Sequence, residues 1–413
     1  GVCARMKRLS TGIAGLDDVL GGGISPGRVY LVEGEPGTGK TTLGMQFLSE
    51  GSRLGEKGLY LGLSETEAEL FDIIASHAWE PPAWEVRELG GSDELNAPDS
   101  QYTIFQPAEI ELGSTTQAIL DAIDEVQPKR LVIDSLSEMR LLAQSSFRLR
   151  RQILALKQFL AEKDCTTILI DDRGPATAES QVHTIAHGVI TLEQLSPEFG
   201  AERRRVQVKK MRGHDFAGGY HDCRIELGGI RVYPRLVASG YVSQPSDDQL
   251  TSGIDQLDAL LGGGLDYGTS TLLVGPAGCG KSSTASLYAM SAVGQGLRAA
   301  VFTFDETRET FLRRTEGMEM RTREAIAAGL LTLTQVDPAQ MSPGEFAWRA
   351  TAEVHRGAKV VVIDSLNGYL TAMPEERFLT AQLHELLTYF NDRGVVTLLV
   401  MAQAGVVGYG GVQ

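Results

Sequence analysis

Residues 9–42 read LSTGIAGLDDVLGGGISPGRVYLVEGEPGTGKTT, and residues 250–283 read LTSGIDQLDALLGGGLDYGTSTLLVGPAGCGKSS. Laid together without gaps, they agree at 15 of 34 positions, so the chain contains one unit twice. The match continues outward. KRLVIDSL at 129–136 answers KVVVIDSL at 359–366, and TILI at 167–170 answers TLLV at 397–400. A repeat this long is a duplicated domain, since solenoid periods run about 20–50 residues. The expected division is a first domain over 9–236, a linker over 237–249 where Ser, Gly, Pro and Asp cluster, and a second domain over 250–413.

Within the first copy, apolar runs alternate with helical patterns. Strands are expected at 29–33, 58–63, 131–134 and 167–170, and helices at 41–54, 67–77 and 147–163. Continuous apolar strands separated by helices imply a mostly parallel sheet flanked by helices on both faces. Residues 203–233 alternate in polarity and carry the pairs Gly218-Gly219 and Gly228-Gly229, which reads as an antiparallel extension at the sheet edge. The expected fold is α/β, two tandem P-loop domains, the first with that appended edge.

GEPGTGKT at 34–41 and GPAGCGKS at 275–282 both fit G-x-x-x-x-G-K-[ST]. Glycine permits backbone torsions closed to other residues, so successive N–H groups can converge on phosphate oxygens. Gly37, Thr38 and Gly39 would form the first cradle and Gly278, Cys279 and Gly280 the second. The helix that starts at each lysine adds its positive dipole end. Lys40 and Lys281 would reach the β- and γ-phosphates, Thr41 and Ser282 would ligate Mg2+, and Thr42 and Ser283 would complete each cradle. One such loop could be an accidental Gly-rich turn; two in one register, each between strand and helix, argue against that.

Asp134 and Asp364 end apolar strands, where an acid faces the phosphate site and can hold Mg2+ through water. Hydrolysis also needs a base or water-orienting group. The next strand ends in Ser64-Glu65-Thr66 in one copy and Asp305-Glu306-Thr307 in the other. Glu65, Asp305 and Glu306 are therefore catalytic candidates, and Asp305 is a further metal candidate.

The net charge of −15 argues against a nucleic-acid binder, which neutralises phosphates with clustered Lys and Arg. The strip Arg203-Arg204-Arg205 to Lys209-Lys210 is read as a solvated strand on an acidic protein. Four cysteines, none at C-x-x-C spacing, fit reduced thiols. No apolar run reaches the roughly 18–20 residues of a membrane span, so a cytoplasmic protein is expected. Trp79 and Trp348 are expected in the core.

TGIAGLDDVLGGG at 11–23, just before a P-loop, resembles the opening signature of the RecA-like ATPases of the KaiC, RadA and DnaB branch. Two tandem copies resemble the KaiC family. KMRGH at 210–214, GGYHD at 218–222 and GIRVYPR at 229–235 resemble the end of a KaiC first domain. The resemblance implies a hexameric double ring with ATP and Mg2+ at subunit interfaces. It also implies slow hydrolysis in the first domain, Ser/Thr autophosphorylation in the second, and protein partners, KaiB-like or other signalling proteins. It brings Ser76, Lys210, Met211, Arg212 and His214 into the nucleotide-contact set. Lys210 and Arg212 flank Met211 on an expected strand, so both emerge on one face. In RecA-like rings that edge faces the neighbour, where the two cations would act in trans. Two departures stand out. The family carries paired acids where this chain has Ser64-Glu65, leaving Glu65 alone. Gln413 corresponds to about His183 of the first copy, so the expected phosphorylated Ser/Thr pair lies beyond Gln413. The alternative reading is a RadA- or DnaB-like nucleic-acid motor.

Overall fold

The computed structural model describes residues 8–89, 107–172, 181–198, 200–238, 246–371 and 378–403. The chain divides into two units, one of Gly1–Ser196 with Glu202–Arg235 and one of Pro197–Ala201 with Leu236–Gln413. Most of the expected linker, 239–245, lies outside the described residues.

The first unit is built on nine strands: β1 (Val29–Gly34), β2 (Gly58–Gly62), β3 (Glu85–Glu88), β4 (Arg130–Asp134), β5 (Thr166–Asp172), β6 (Gly188–Leu195), β7 (Arg203–Met211), β8 (Tyr220–Glu226) and β9 (Gly229–Tyr233). They form one sheet in the order β3-β2-β4-β5-β1-β6-β7-β8-β9. The strands through β6 pair in parallel, while β7, β8 and β9 are antiparallel. The appended edge is therefore present, and Gly228 and Gly229 turn β8 into β9 with φ of 97° and 115°.

Each central strand feeds two cores. On β1, Tyr30 and Val32 join one apolar cluster and Val29 and Leu31 the other. On β4, Val132 faces the first, and Leu131 and Ile133 the second. That is why these runs read as continuously apolar: both faces are covered, and each such side chain contributes roughly 1.5–3 kcal/mol by leaving water. The helix Lys40–Arg53 presses Leu43, Phe47 and Leu48 into the first cluster. The helix Glu67–Ser76 opens with a capping box, in which Thr66 Oγ1 accepts from Glu69 N and Glu69 Oε2 accepts from Thr66 N.

Arg130, at the start of β4, is fully buried. It pairs with Glu56 at 2.5 Å, donates to the carbonyls of Ser10 and Phe47, and lies 4.7 Å over the Phe47 ring.

The second unit begins with a small ribbon of β10 (Gln249–Leu250) and β11 (Leu265–Asp266). Its sheet uses β12 (Ser270–Gly275), β13 (Arg298–Thr303), β14 (Leu331–Gln335), β15 (Ala358–Asp364) and β16 (Val396–Ala402), in the order β12-β16-β15-β13-β14. All four pairings are parallel. Read from the other edge this is β14-β13-β15-β16-β12, the counterpart of β3-β2-β4-β5-β1. The two P-loop helices, Lys40–Arg53 and Lys281–Gly294, both run 14 residues. The duplication is thus structural as well as textual.

Two sequence expectations need adjustment. Observed ends differ from expected ones by a residue or two; β5 extends past Ile170 to Asp172, polar residues an apolar-run criterion discards. Trp348 is not core. It stands 39 % exposed on the helix Pro343–His355, which turns Phe346 and Ala350 inward. Trp79 does pack against the first cluster and donates Nε1 to the Gly228 carbonyl at 3.2 Å. Among the described residues, no helix is long and apolar enough to cross a membrane.

Candidate functional site

Both P-loops leave the C-terminal end of a sheet strand and enter a helix at the lysine. Gly37 and Gly39 have φ of 84° and 101°, and Gly278 and Gly280 have 78° and 93°, all in the left-handed region. In the first loop Thr38 Oγ1 donates to the Glu35 carbonyl at 2.8 Å, pinning the turn. A Cβ at Gly39 would stand 2.8 Å from Ile225 Cδ1, so the β8–β9 hairpin covers this loop. The corresponding Gly280 has open space.

Lys40 is buried, and its Nζ donates to the carbonyls of Gly34 and Glu35, both at 2.8 Å. Asp172 Oδ1 lies 2.9 Å from the same nitrogen. Thr41 Oγ1 donates to Asp134 Oδ2 at 2.7 Å, and the Tyr60 hydroxyl donates to the same oxygen. Burial pushes the Asp134 carboxyl up from its ordinary value, against these two donors and Lys40. A hydroxyl and a carboxylate in contact at the end of a P-loop are a fitting donor set for Mg2+, which favours oxygen ligands and retains water.

Glu65 faces this group. Its Oε2 is buried without a hydrogen-bond partner. Burial first, then the charges of Asp134, Glu69 and Asp172, push its carboxyl up to about 7. A half-ionised acid beside a phosphate site suits a general base. Ser64 is exposed and adds no acid.

The second loop holds its groups differently. Lys281 Nζ donates to the Pro276 carbonyl at 2.6 Å and lies 3.8 Å from Cys279 Sγ. Ser282 hydrogen-bonds Asp364, whose carboxyl burial again pushes up. Of the two acids expected here, Glu306 is ion-paired with Arg314 through bonds of 3.1 and 3.0 Å, so it is not a free base. Arg314 stands where the first copy has Ile73, a difference of helix side chains that no reading of the acid motif alone reveals. Asp305 remains exposed and accepts from Ser365 Oγ.

Lys210, Met211 and Arg212 lie away from the first unit's own P-loop. Lys210 pairs in register with Val189, and Arg212 N donates to the His187 carbonyl, beside the start of β1. The P-loop leaves β1 at its other end. Lys210 Nζ donates to the carbonyls of His183 (2.5 Å) and Ala186 (2.9 Å), and Arg212 Nη2 to Thr184 (2.8 Å). Both cations thus gather on one face, as alternation requires, although Arg212 lies one residue past β7. Met211 is buried against Gly188, its register partner on β6. His214 is half-buried with neither ring nitrogen bonded, and burial, then Arg8, lowers its pKa. Ser76 donates to the Ile73 carbonyl on an exposed helix end, while its neighbour His77 lies 3.5 Å from Thr42 Oγ1. Ser283 lies in the first turn of the second P-loop helix next to Ser282 and is half-buried.

Some polar residues of the first site were not singled out from sequence. Asp171 is buried and ion-paired with Arg140, and Ser137 Oγ contacts both Asp171 and Asp172. Glu33, on β1, accepts from His183, Thr191 and Lys209, and His183 is the main influence holding its pKa low against burial. The available signal was the repeat itself: Asp171-Asp172 stands where the second copy has Met401-Ala402.

Comparison with known proteins agrees with this architecture. The family described as "ATPase: KaiC" matches over residues 9–237 and again over 250–412. The circadian clock oscillator protein KaiC of a Prochlorococcus marinus strain is 28 % identical over 340 residues, covering 80 % of this chain and 66 % of that protein. KaiC of Parasynechococcus marenigrum is 29 % identical over 320 residues, 75 % and 60 % respectively. The circadian clock protein KaiC2 of Synechocystis sp. is 26 % identical over 406 residues, 97 % and 70 %. The chain therefore spans about two thirds or less of the length of the first relatives it matches.

Proposed function

The chain belongs to the KaiC family of ATPases, and from that premise we propose that it binds ATP with Mg2+ at both P-loops and hydrolyses it at the first. The observation that carries this reading is the convergence of Lys40, the Thr41–Asp134 pair and Glu65, with its unbonded buried oxygen, at the C-terminal ends of β1, β4 and β2. Thr41 and Asp134 would hold the metal, and Mg2+ there would supply positive charge against the phosphates. Lys40 leaves the P-loop carbonyls for those phosphates, and Glu65 orients or deprotonates the attacking water.

The two domains, 9–236 and 250–413, assemble as a homohexameric double ring that reports its nucleotide state to protein partners, as a signalling or clock component. Lys210 and Arg212 complete a neighbour's first site. Their distance from their own P-loop and their shared face support that role. Mixing Arg212→Ala chains with Lys40→Ala chains restores turnover in part if they act in trans. No recovery in mixed rings of confirmed composition counts against it. Autophosphorylation in the second domain extends the proposal, and a phosphoryl mass gain after incubation with ATP tests it.

Steady-state ATP turnover with native mass measured with and without ATP tests the main reading. Turnover and ATP-dependent assembly are expected. An inert monomer under both conditions contradicts it. The nucleic-acid motor reading is decided by adding single-stranded DNA; the −15 charge supports no stimulation.

A further inference from the structure

Asp172 closes β5 in register with Gly34, where the P-loop begins. Its Oδ1 is 2.9 Å from Lys40 Nζ. Its other oxygen accepts from Ser137 Oγ at 3.2 Å, and its backbone N–H donates back to that hydroxyl, also at 3.2 Å. The nearby guanidinium of Arg140 is taken by Asp171. Asp172 is thus held in place and aimed at the lysine that serves the phosphates.

The second copy lacks this device. The register of Thr167 on Thr397 places Ala402 at the position of Asp172. Asn367 replaces Ser137 and exchanges bonds with the Ala402 backbone, at 2.7 and 3.2 Å. Lys281 rests on a carbonyl instead.

We propose that Asp172 biases the first P-loop toward nucleoside diphosphate over triphosphate, by holding Lys40 from the side where a γ-phosphate would meet it. This rests on the nucleotide-binding reading above. A diphosphate asks Lys40 for contact with the β-phosphate alone, which leaves its bond to Asp172 in place. A triphosphate brings a second anion to a lysine already paired, beside a fixed carboxylate, and like charges a few ångströms apart repel. Glu65, drawn upward in part by Asp172, lies in the same field. The consequence is a first site that retains product, while the second has no such bias.

The test uses the full chain carrying Lys281→Ala, so that only the first site binds. Dissociation constants for ATP and ADP are measured by competition against a fluorescent nucleotide, with Mg2+ present. Asp172→Asn keeps the shape and removes the charge. It should shift the ATP-to-ADP affinity ratio toward ATP about ten-fold, mostly by tightening ATP. The reciprocal Ala402→Asp, in a Lys40→Ala chain, should move the second site toward ADP. Ratios unchanged in both chains, or equal loss of both nucleotides in the first, overturn the role of Asp172 while leaving nucleotide binding intact as a reading. If the Lys281→Ala parent binds neither nucleotide, the underlying function fails as well.

Discussion

The two P-loop sites share a backbone and differ in where they keep their acids. Each has a strand-end aspartate bonded to the P-loop hydroxyl, Asp134 with Thr41 and Asp364 with Ser282. Around that common part the first site has Glu65 with a buried oxygen left unbonded, Ser64 without charge, and Asp172 on Lys40. The second has Glu306 neutralised by Arg314, Asp305 exposed, Ala402 at the position of Asp172, and its lysine bound to a carbonyl. Duplication preserved the phosphate cradle and released the residues around it. The lesson is that a motif's acids cannot be assigned by position: Glu65 and Glu306 align, yet among the described residues Glu306 has a cation partner and Glu65 does not.

The largest expected difference between the two sites lies in the candidate catalytic acids. Glu65→Gln is expected to lower first-site turnover by about 10²–10⁴, the range for loss of a general base. Glu306→Gln should barely change second-site phosphoryl chemistry, whereas Asp305→Asn should reduce it. Single-turnover assays in Lys281→Ala and Lys40→Ala chains separate the two sites. Equal effects of Glu65→Gln and Glu306→Gln would dissolve the distinction.

The next effect is on stability. Arg130 is buried and engaged by Glu56, two carbonyls and the Phe47 ring, whereas its counterpart in the second unit is Val360. Arg130→Ala leaves Glu56 without its partner and should destabilise the first unit by about 3–5 kcal/mol. Val360→Ala removes only apolar contact and should cost the second unit about 1–3 kcal/mol. Denaturant unfolding followed by limited proteolysis assigns each loss to its unit.

A smaller, pH-dependent effect follows from Glu65. Its folded pKa, about 7, exceeds the ordinary 4.5 because burial disfavours the charged form. The stability it contributes is therefore full below about 4.5 and is lost as pH rises toward 7. In nucleotide-free protein, Glu65→Gln, which stays neutral, should raise the first unit's melting temperature relative to the parent more at pH 8 than at pH 5. A gap that is constant with pH would place the Glu65 titration elsewhere.

The shared part of the molecule was legible in the sequence because it follows from local rules. Two Gly-rich loops, each between an apolar run and a helix, and the strand-end Asp134 and Asp364, lie at their expected places. The Arg203–Met211 strand and its two followers were readable from alternation and paired glycines. What escaped was set by contacts between distant segments. Arg314 reaches Glu306 only because the helix Arg308–Glu316 packs beside the strand end. Asp172 meets Lys40 only because β5 lies next to β1. Both have an echo in the repeat, as Arg314 against Ile73 and Asp172 against Ala402. That echo gains meaning only when the strand order is known.

Nucleotide stoichiometry tests directly whether the chain holds two separate sites. Purified chain is saturated with ATP and Mg2+ and freed of unbound nucleotide, and the bound nucleotide is counted per chain in the parent, in Lys40→Ala and in Lys281→Ala. Two nucleotides per parent chain are expected, with one remaining in each variant, from the second site after Lys40→Ala and from the first after Lys281→Ala. A parent that binds one nucleotide or none, or a single variant that loses both, would contradict two separate P-loop sites.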